Sequence, residues 1–469
     1  MQNQDTAAPR RAGSLDALRG LAILMMVLCS SIPFGVLPAW MYHAQTPPPT
    51  HDFIPLPGLT WVDLVFPFFL FAMGAALPLS LGRKAAGTPA PKLAWQVLLR
   101  GAVLAAFGIY SQHIRPFLLN PGQKTAMQWL IALAGFLLLF PAMSRLPKDW
   151  KTWQKLALRA GAAVLMAALL WGIKYPDNGG GFSLYRSDCI IMFLSAMAVW
   201  GSAIYLLTRE SVELRLGVLA LLLAAKLSWA NGGWLHDAVP AFPLPWLFDW
   251  GCLRYLFAVI PGTVAGDLIA AWLRSSEADG DWDRSKAWAF TVLMTVIVVV
   301  TLAGLQTRHG AWTLAAGAAL CAAAWPLLRG SAGGVGLVRS LFKWGVFWYI
   351  AGLLLEPFEG GIKKDPPTLS YYFTTCGLAL FTLSAFTTLT SVLGKRWLKI
   401  LEYNGQNPMV AYMAGANLVA PVLALTGLGA LLASVTASPW AGFGRGLFET
   451  ALVALAVAWC TRRGIFWRA

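Results

Sequence analysis

Apolar runs of about twenty residues, the length that carries an α-helix across a hydrocarbon core, recur along this chain from end to end. Separated by polar or Pro/Gly-rich breaks, they begin near Leu15, Leu59, Leu93, Met127, Leu156, Cys189, Val212, Trp250, Ala287, Gly310, Leu341, Leu369, Pro408 and Leu447. Lipid offers no partner to a backbone N–H or C=O, so such runs must fold as helices that satisfy their own hydrogen bonds. The expected fold is all-α, a polytopic transmembrane bundle of about 11 to 14 spans. The runs from Val212 and Gly310 are short or Ala-rich, and the last two read as crossing, broken or re-entrant. Of the 469 residues 58% are apolar and 12% charged, against about 25% charged in soluble domains, which excludes an ordinary soluble enzyme.

The formal charge of +15 would suggest a nucleic-acid partner in a soluble chain, but in a membrane protein the placement of Lys and Arg carries the information. Alternate gaps between spans hold about 23 and about 8 basic residues, a bias that places the richer set in the cytoplasm. That set includes Arg10, Arg11, Arg83, Lys84, Lys148, Lys151, Arg284, Lys286, Lys395, Arg396, Arg462 and Arg463. The consistent alternation predicts an even number of crossings with both termini cytoplasmic, in a single domain over residues 1–469. It comprises a cytoplasmic tail at 1–14 and an external Pro-rich loop at 37–58. No cleavable leader is expected, because Asp16 and Arg19 interrupt the first run. The six cysteines fall in or beside apolar runs without a CxxC pair and read as small core residues.

Ionisable residues inside spans cost free energy and mark sites by default. They are Asp16, Arg19, Asp63, Arg100, Arg159, Lys226, Asp249, Arg254, Asp267, Glu356 and Glu402. Many lie near span ends, where snorkelling or capping also accounts for them; Arg159 and Lys226 have no partner in the sequence. Asp16 and Arg19, three apart, share a helical face and can pair, and the same arginine could meet a phosphate arriving from the cytoplasm. All five histidines, His43, His51, His113, His236 and His309, fall on the external side of the predicted topology. Imidazole is the side chain best suited to moving a proton near neutral pH.

His43 and His51 share a loop without Lys or Arg that has six prolines between Pro38 and Pro57. It leads into Gly58-Leu59-Thr60-Trp61-Val62-Asp63, where Asp63 could orient an imidazole or serve as a helix N-terminal acid. Spacing alone does not choose between the histidines. Further polar stretches are Tyr185-Arg186-Ser187-Asp188, Arg254-Tyr255 and Glu402-Tyr403-Asn404-Gly405-Gln406-Asn407-Pro408, while Lys363-Lys364-Asp365 reads as a solvated loop. No metal-ligand cluster, phosphate-binding Gly loop or Rossmann pattern is present in the sequence.

Ser14-Leu15-Asp16-Ala17-Leu18-Arg19-Gly20, with His43-Ala44 and Gly58-Leu59-Thr60-Trp61-Val62-Asp63-Leu64-Val65-Phe66-Pro67-Phe68-Phe69-Leu70-Phe71, resembles the heparan-alpha-glucosaminide N-acetyltransferase family and its bacterial relatives. The match covers about the first 85 residues, with weaker echoes at Leu369-Ser370-Tyr371 and Asn404-Gly405-Gln406-Asn407-Pro408-Met409-Val410-Ala411-Tyr412. The resemblance implies transfer of an acetyl group from cytoplasmic acetyl-CoA to an amino sugar across the membrane. It also implies a catalytic histidine just before the Gly-Leu-Thr motif. His43 and His51 both match, with a lean to His51 because a Pro-rich insertion leaves it nearer the motif, and Asp63 is the orienting acid. Arg19, Asn404 and Asn407 are the expected donor-binding residues; Arg186, Asp188 and Arg254, toward the outside, suit the acceptor sugar. The expected partners are the lipid bilayer and a sugar or glycan, without nucleic acid or metal, and a homodimer stays open. The expected location is a bacterial inner membrane. The alternatives are an O-acetyltransferase of envelope polysaccharide and a secondary transporter of a small polar solute.

Overall fold

The computed structural model describes residues 12–122, 124–176, 180–230, 232, 250–275, 282–329 and 334–467. His236 and Asp249 lie outside the described residues. Helices α1 (Gly13–Ser31), α2 (Val65–Gly87), α3 (Ala90–His113), α4 (Ala126–Met143), α5 (Thr152–Gly172), α6 (Cys189–Thr208) and α7 (Val212–Ala230) form the first half. The second half holds α8 (Leu256–Arg274), α9 (Arg284–Gln306), α10 (Gly310–Ala324), α11 (Gly334–Leu355), α12 (Leu369–Thr387), α13 (Pro408–Leu425) and α14 (Pro439–Arg462). Among the described residues no strand forms, and thirteen of these helices are long and apolar enough to cross a membrane.

The chain is thus an integral membrane protein of the all-α, polytopic class. Helix α7 adds a fourteenth crossing, because its charges tie it to opposite ends of the bundle. Near its start, the fully buried Arg215 donates to Asp267 Oδ2 in α8 at 2.6 Å, to Thr263 Oγ1 at 3.2 Å and to the Thr208 carbonyl at 3.1 Å. Near its end, Lys226 Nζ lies 3.5 Å from Glu359 in the loop after α11. Both partners come from other parts of the chain, which is why the sequence around Lys226 shows none. A well-bonded arginine is tolerated in the interior, but removing it leaves the partly exposed Asp267 only a long bond from the Tyr205 hydroxyl at 3.4 Å. Arg215→Ala is therefore expected to cost about 3 kcal/mol, read as a lower unfolding temperature in detergent that Asp267→Asn partly restores.

With an even number of crossings the chain enters and leaves on one face, called near; the opposite, far face carries the loop 32–61. Arg83, Lys84, Lys148, Lys151, Arg284, Lys286, Lys395 and Arg396 fall on near-face connections, the distribution of a cytoplasmic side. Helices α8 and α12 run through the centre, and α5 lies at the periphery with almost its whole surface outward. Packing inside lipid depends on close backbone approach over small residues. In Gly262-Thr263-Val264-Ala265-Gly266 of α8, a Cβ at Gly262 would stand 2.2 Å from the Phe71 carbonyl, and one at Gly266 2.3 Å from that of Ala75. Helix α13 does cross, but it is broken by a π turn at Gly415–Val419; α14 crosses as one continuous helix.

Candidate active site

The loop between α1 and α2 is held by a small core of its own. Ile32, Leu37, Met41 and Tyr42 pack together, and the Tyr42 hydroxyl donates to the Pro33 carbonyl at 2.7 Å while accepting from Leu37 N–H at 2.9 Å. This fixes the backbone immediately before His43. Ile54 N–H then donates to the Gln45 carbonyl at 2.9 Å, so the Pro-rich insertion between them is an excursion that closes on itself. The excursion brings His43, the histidine farther from the motif in sequence, back to the helix start. His51 rides on the exposed excursion, stacked on Phe34 with ring centroids 3.6 Å apart.

At the start of α2, Asp63 is fully buried. One carboxylate oxygen accepts from the backbone N–H groups of Thr60 at 3.0 Å and Ala44 at 3.2 Å, the first in the manner of a capping-box acid. The other lies 2.7 Å from His43 Nδ1. Both sequence expectations for Asp63 hold in geometry: it caps the helix and faces an imidazole. A proton on Nδ1 suits the carboxylate and makes Nε2 the ring's acceptor.

Lys364 was expected in a solvated loop, and here the structure corrects the sequence reading. Its Nζ lies 3.0 Å from His43 Nδ1, 3.2 Å from Nε2 and 4.0 Å from Asp63 Oδ1. The loop 356–368 is docked on the loop 32–61 by Gly58 N–H donating to the Ile362 carbonyl at 2.7 Å. Glu359 caps α12 by accepting from Leu369 and Ser370 N–H at 2.8 and 2.7 Å, and the Tyr371 hydroxyl donates to the Asp63 carbonyl at 3.0 Å. Nothing local in Lys363-Lys364-Asp365 signals this, because the contact joins residues more than three hundred positions apart.

Two cavities open elsewhere in the bundle, and none of their lining residues is His43, Asp63 or Lys364. One, of about 240 Å³, is lined by Arg19, Arg100, Ser80 and Gln406 with apolar walls from Ile23, Met73 and Leu104. The other, of about 560 Å³, lies toward the far face, where Cys29, Arg115, Lys124, Trp129, Arg445 and Glu449 line it. Met26, Ile190 and Tyr412 belong to both walls. At this partition the Tyr412 hydroxyl donates to Asp188 at 2.6 Å and accepts from Arg115 at 2.7 Å, and Arg115 also pairs directly with Asp188. Burial opposes the charge on Arg115; Tyr412 and Asp188 outweigh it and hold the guanidinium's pKa above its ordinary value. Cys29, in the far cavity, lies within electrostatic range of Lys364 and Asp63.

The expected donor-binding residues separate. Arg19 lines the first cavity, pairs with Asp16 at 3.3 Å and donates to the Gly405 carbonyl at 3.0 Å. Asn404 and Asn407 do not line it. Asn404 donates to the carbonyls of Ile400 and Ala454, and Asn407 donates to the Ile465 carbonyl while accepting from Trp467 N–H. Their amides dock the chain's C-terminal segment instead. Arg100 lines the first cavity together with Arg19, and an intramembrane arginine on α3 was the signal for it.

None of the three expected acceptor residues lines either cavity. Asp188 caps α6 and braces the partition. Arg186 lies over the Tyr175 ring at 3.7 Å and donates to the Gly181 carbonyl. Arg254 sits 5.5 Å from the Tyr255 ring, on the far side of the bundle. His113 is buried, with Nδ1 donating to the Ile109 carbonyl at 2.7 Å, and His309 is exposed beside Thr307.

These features define a membrane-embedded helical protein in which a buried carboxylate, a partly exposed imidazole and a partly exposed ammonium meet at one face. Residues 11–269 match the family described as domain of unknown function (DUF5009). That is more than half of the chain, which therefore belongs to this family. No curated protein matches the chain.

Proposed function

We propose that the protein is a transmembrane acetyltransferase that passes an acetyl group from acetyl-CoA at the near, cytoplasmic face to an amino sugar at the far face of a bacterial inner membrane. The observation that supports this most is His43 on the buried Asp63, in a bundle whose far cavity shares Met26, Ile190 and Tyr412 with a cavity holding Arg19 and Arg100. Arg19 and Arg100 supply the cations that a polyanionic donor requires, and the apolar wall suits a narrow acyl-bearing arm. A volume of about 240 Å³ leaves the nucleotide outside the bundle.

In the transfer, the acceptor nitrogen attacks the thioester carbonyl, the C–N bond forms as the C–S bond breaks, and CoA departs as a thiolate that takes up a proton. His43 Nε2 accepts the proton lost by nitrogen, and Asp63 stabilises the imidazolium. Lys364 places a positive charge beside the same ring, where it serves the oxyanion that develops on the carbonyl.

The test is acetyl transfer by purified protein from labelled acetyl-CoA to glucosamine, with N-acetylated sugars and polysaccharide hydroxyl acceptors in the same panel. Transfer to hydroxyls alone would make the protein an O-acetyltransferase. His51→Ala is expected to retain activity within about twofold, since an exposed stacked ring contributes little; its abolition together with an active His43→Ala variant would reverse the assignment. Arg19→Gln is expected to raise KM for acetyl-CoA about tenfold, the value of one lost charge-assisted bond. A secondary transporter is the second reading, favoured by cavities on both sides of one partition; uptake of labelled glucosamine into proteoliposomes without acetylation would establish it.

A further inference from the structure

We propose that the far-face cavity is the acceptor subsite, binding a pyranose ring between Trp129 and the Arg445–Glu449 pair. The inference rests on the acetyltransfer reading and names where, and by which groups, the acceptor is held. Arg445 and Glu449 stand one turn apart on α14, inside the span Pro439–Arg462. Ionisable side chains at that depth face the bundle interior or a water-filled cavity, and both line the far cavity. Their closest approach, Nε to Oε1, is 3.9 Å, and about a quarter of each side chain is exposed. An ion pair held at the edge of contact leaves most of its hydrogen-bonding capacity for a third party.

A sugar ring is the ligand these groups fit. Its hydroxyls both donate and accept, so one carboxylate and one guanidinium one turn apart can take two neighbouring hydroxyls with charge-assisted bonds. Its C–H face is apolar and packs against an aromatic plane; Trp129, half-buried on α4, supplies that plane across the cavity. Gly415, Ala416 and Gly429 keep one part of the wall low, Phe117, Ile190 and Tyr412 stand on the rest, and about 560 Å³ accommodates a monosaccharide with room for its next residue. Cys29, on the wall of this cavity, is within electrostatic range of Asp63 and Lys364.

The test uses full-length protein in nanodiscs, glucosamine as the probe, and the variants Glu449→Gln and Trp129→Ala. Each is expected to raise KM for glucosamine about tenfold or more, the worth of one charge-assisted bond or one lost aromatic face. KM for acetyl-CoA and the unfolding temperature should stay unchanged. Unaltered KM for glucosamine in both variants would overturn the subsite, as would an equal rise in KM for acetyl-CoA. If wild-type protein transfers no acetyl group to any acceptor, the proposed function falls, and equilibrium binding of labelled glucosamine then decides the subsite alone. Binding that weakens about tenfold in Glu449→Gln sustains it; no binding by the wild type, or equal binding by the variant, overturns it.

Discussion

Asp63→Asn is expected to lower acetyl transfer about a thousandfold, within the range that general-base catalysis supplies, while KM for acetyl-CoA changes little. The substitution keeps the shape of the side chain but removes the charge that stabilises an imidazolium, and an amide nitrogen can face His43 Nδ1 and reverse its tautomer. The carboxylate lies 2.7 Å from that nitrogen and is wholly shielded from solvent, so no water substitutes for it. His43→Ala should match the loss, and the double variant should be no worse than either alone, because the two residues act as one unit. Additive losses would show that Asp63 acts only as a helix cap, which the same carboxylate also provides through Thr60. Retained activity in both single variants would remove His43 from the chemistry altogether.

The second large effect belongs to Gly405→Ala. Helix α1 and the short helix Lys399–Gln406 touch backbone to backbone: a Cβ at Gly405 would stand 1.8 Å from the Asp16 carbonyl, and one at Gly20 1.9 Å from that of Leu401. Neither carbonyl belongs to a flexible side chain, so the helices must separate. Overpacking of this kind costs about 3 kcal/mol or more, and the variant is expected to be lost from the membrane fraction or to unfold at a markedly lower temperature. Gly444→Ala is the control, since a Cβ there meets nothing within 4 Å. Any Gly405→Ala protein that does fold should show a raised KM for acetyl-CoA, because Arg19 donates to the Gly405 carbonyl and moves with it.

The bundle could be read from the sequence because a span is a local property. Length and apolarity within some twenty residues determine it, and all fourteen predicted segments correspond to helices. Even α7, whose Arg215, Lys226 and Glu213 weaken its apolar signal, follows from the need for an even count. Part of the site was equally local: His43 and Asp63 lie in one loop and one helix start. What the sequence could not convey is which histidine a Pro-rich excursion returns to Asp63, since the answer depends on the bond from Ile54 to Gln45. Lys364 was hidden because its partner is His43, across the whole chain. Asn404 and Asn407 misled for the opposite reason. Their polarity in an apolar neighbourhood suggested a ligand, but the carbonyls of Ile400, Ala454 and Ile465 already take their donors.

The partition at Met26, Ile190 and Tyr412 has an electrical consequence. Cavities on either side of it shorten the insulating layer, so a transmembrane voltage drops steeply over these few residues. In the proposed acetyl transfer the nitrogen would release a proton beyond the partition, and the departing thiolate would take one up before it. Each turnover then moves the equivalent of one positive charge outward, although only a neutral acetyl group changes hands. Against an inside-negative potential that displacement costs about 2.3 kcal/mol per 100 mV. If the proposed transfer is the protein's activity, an energised membrane slows it, unless the proton is returned along the path the acetyl group took.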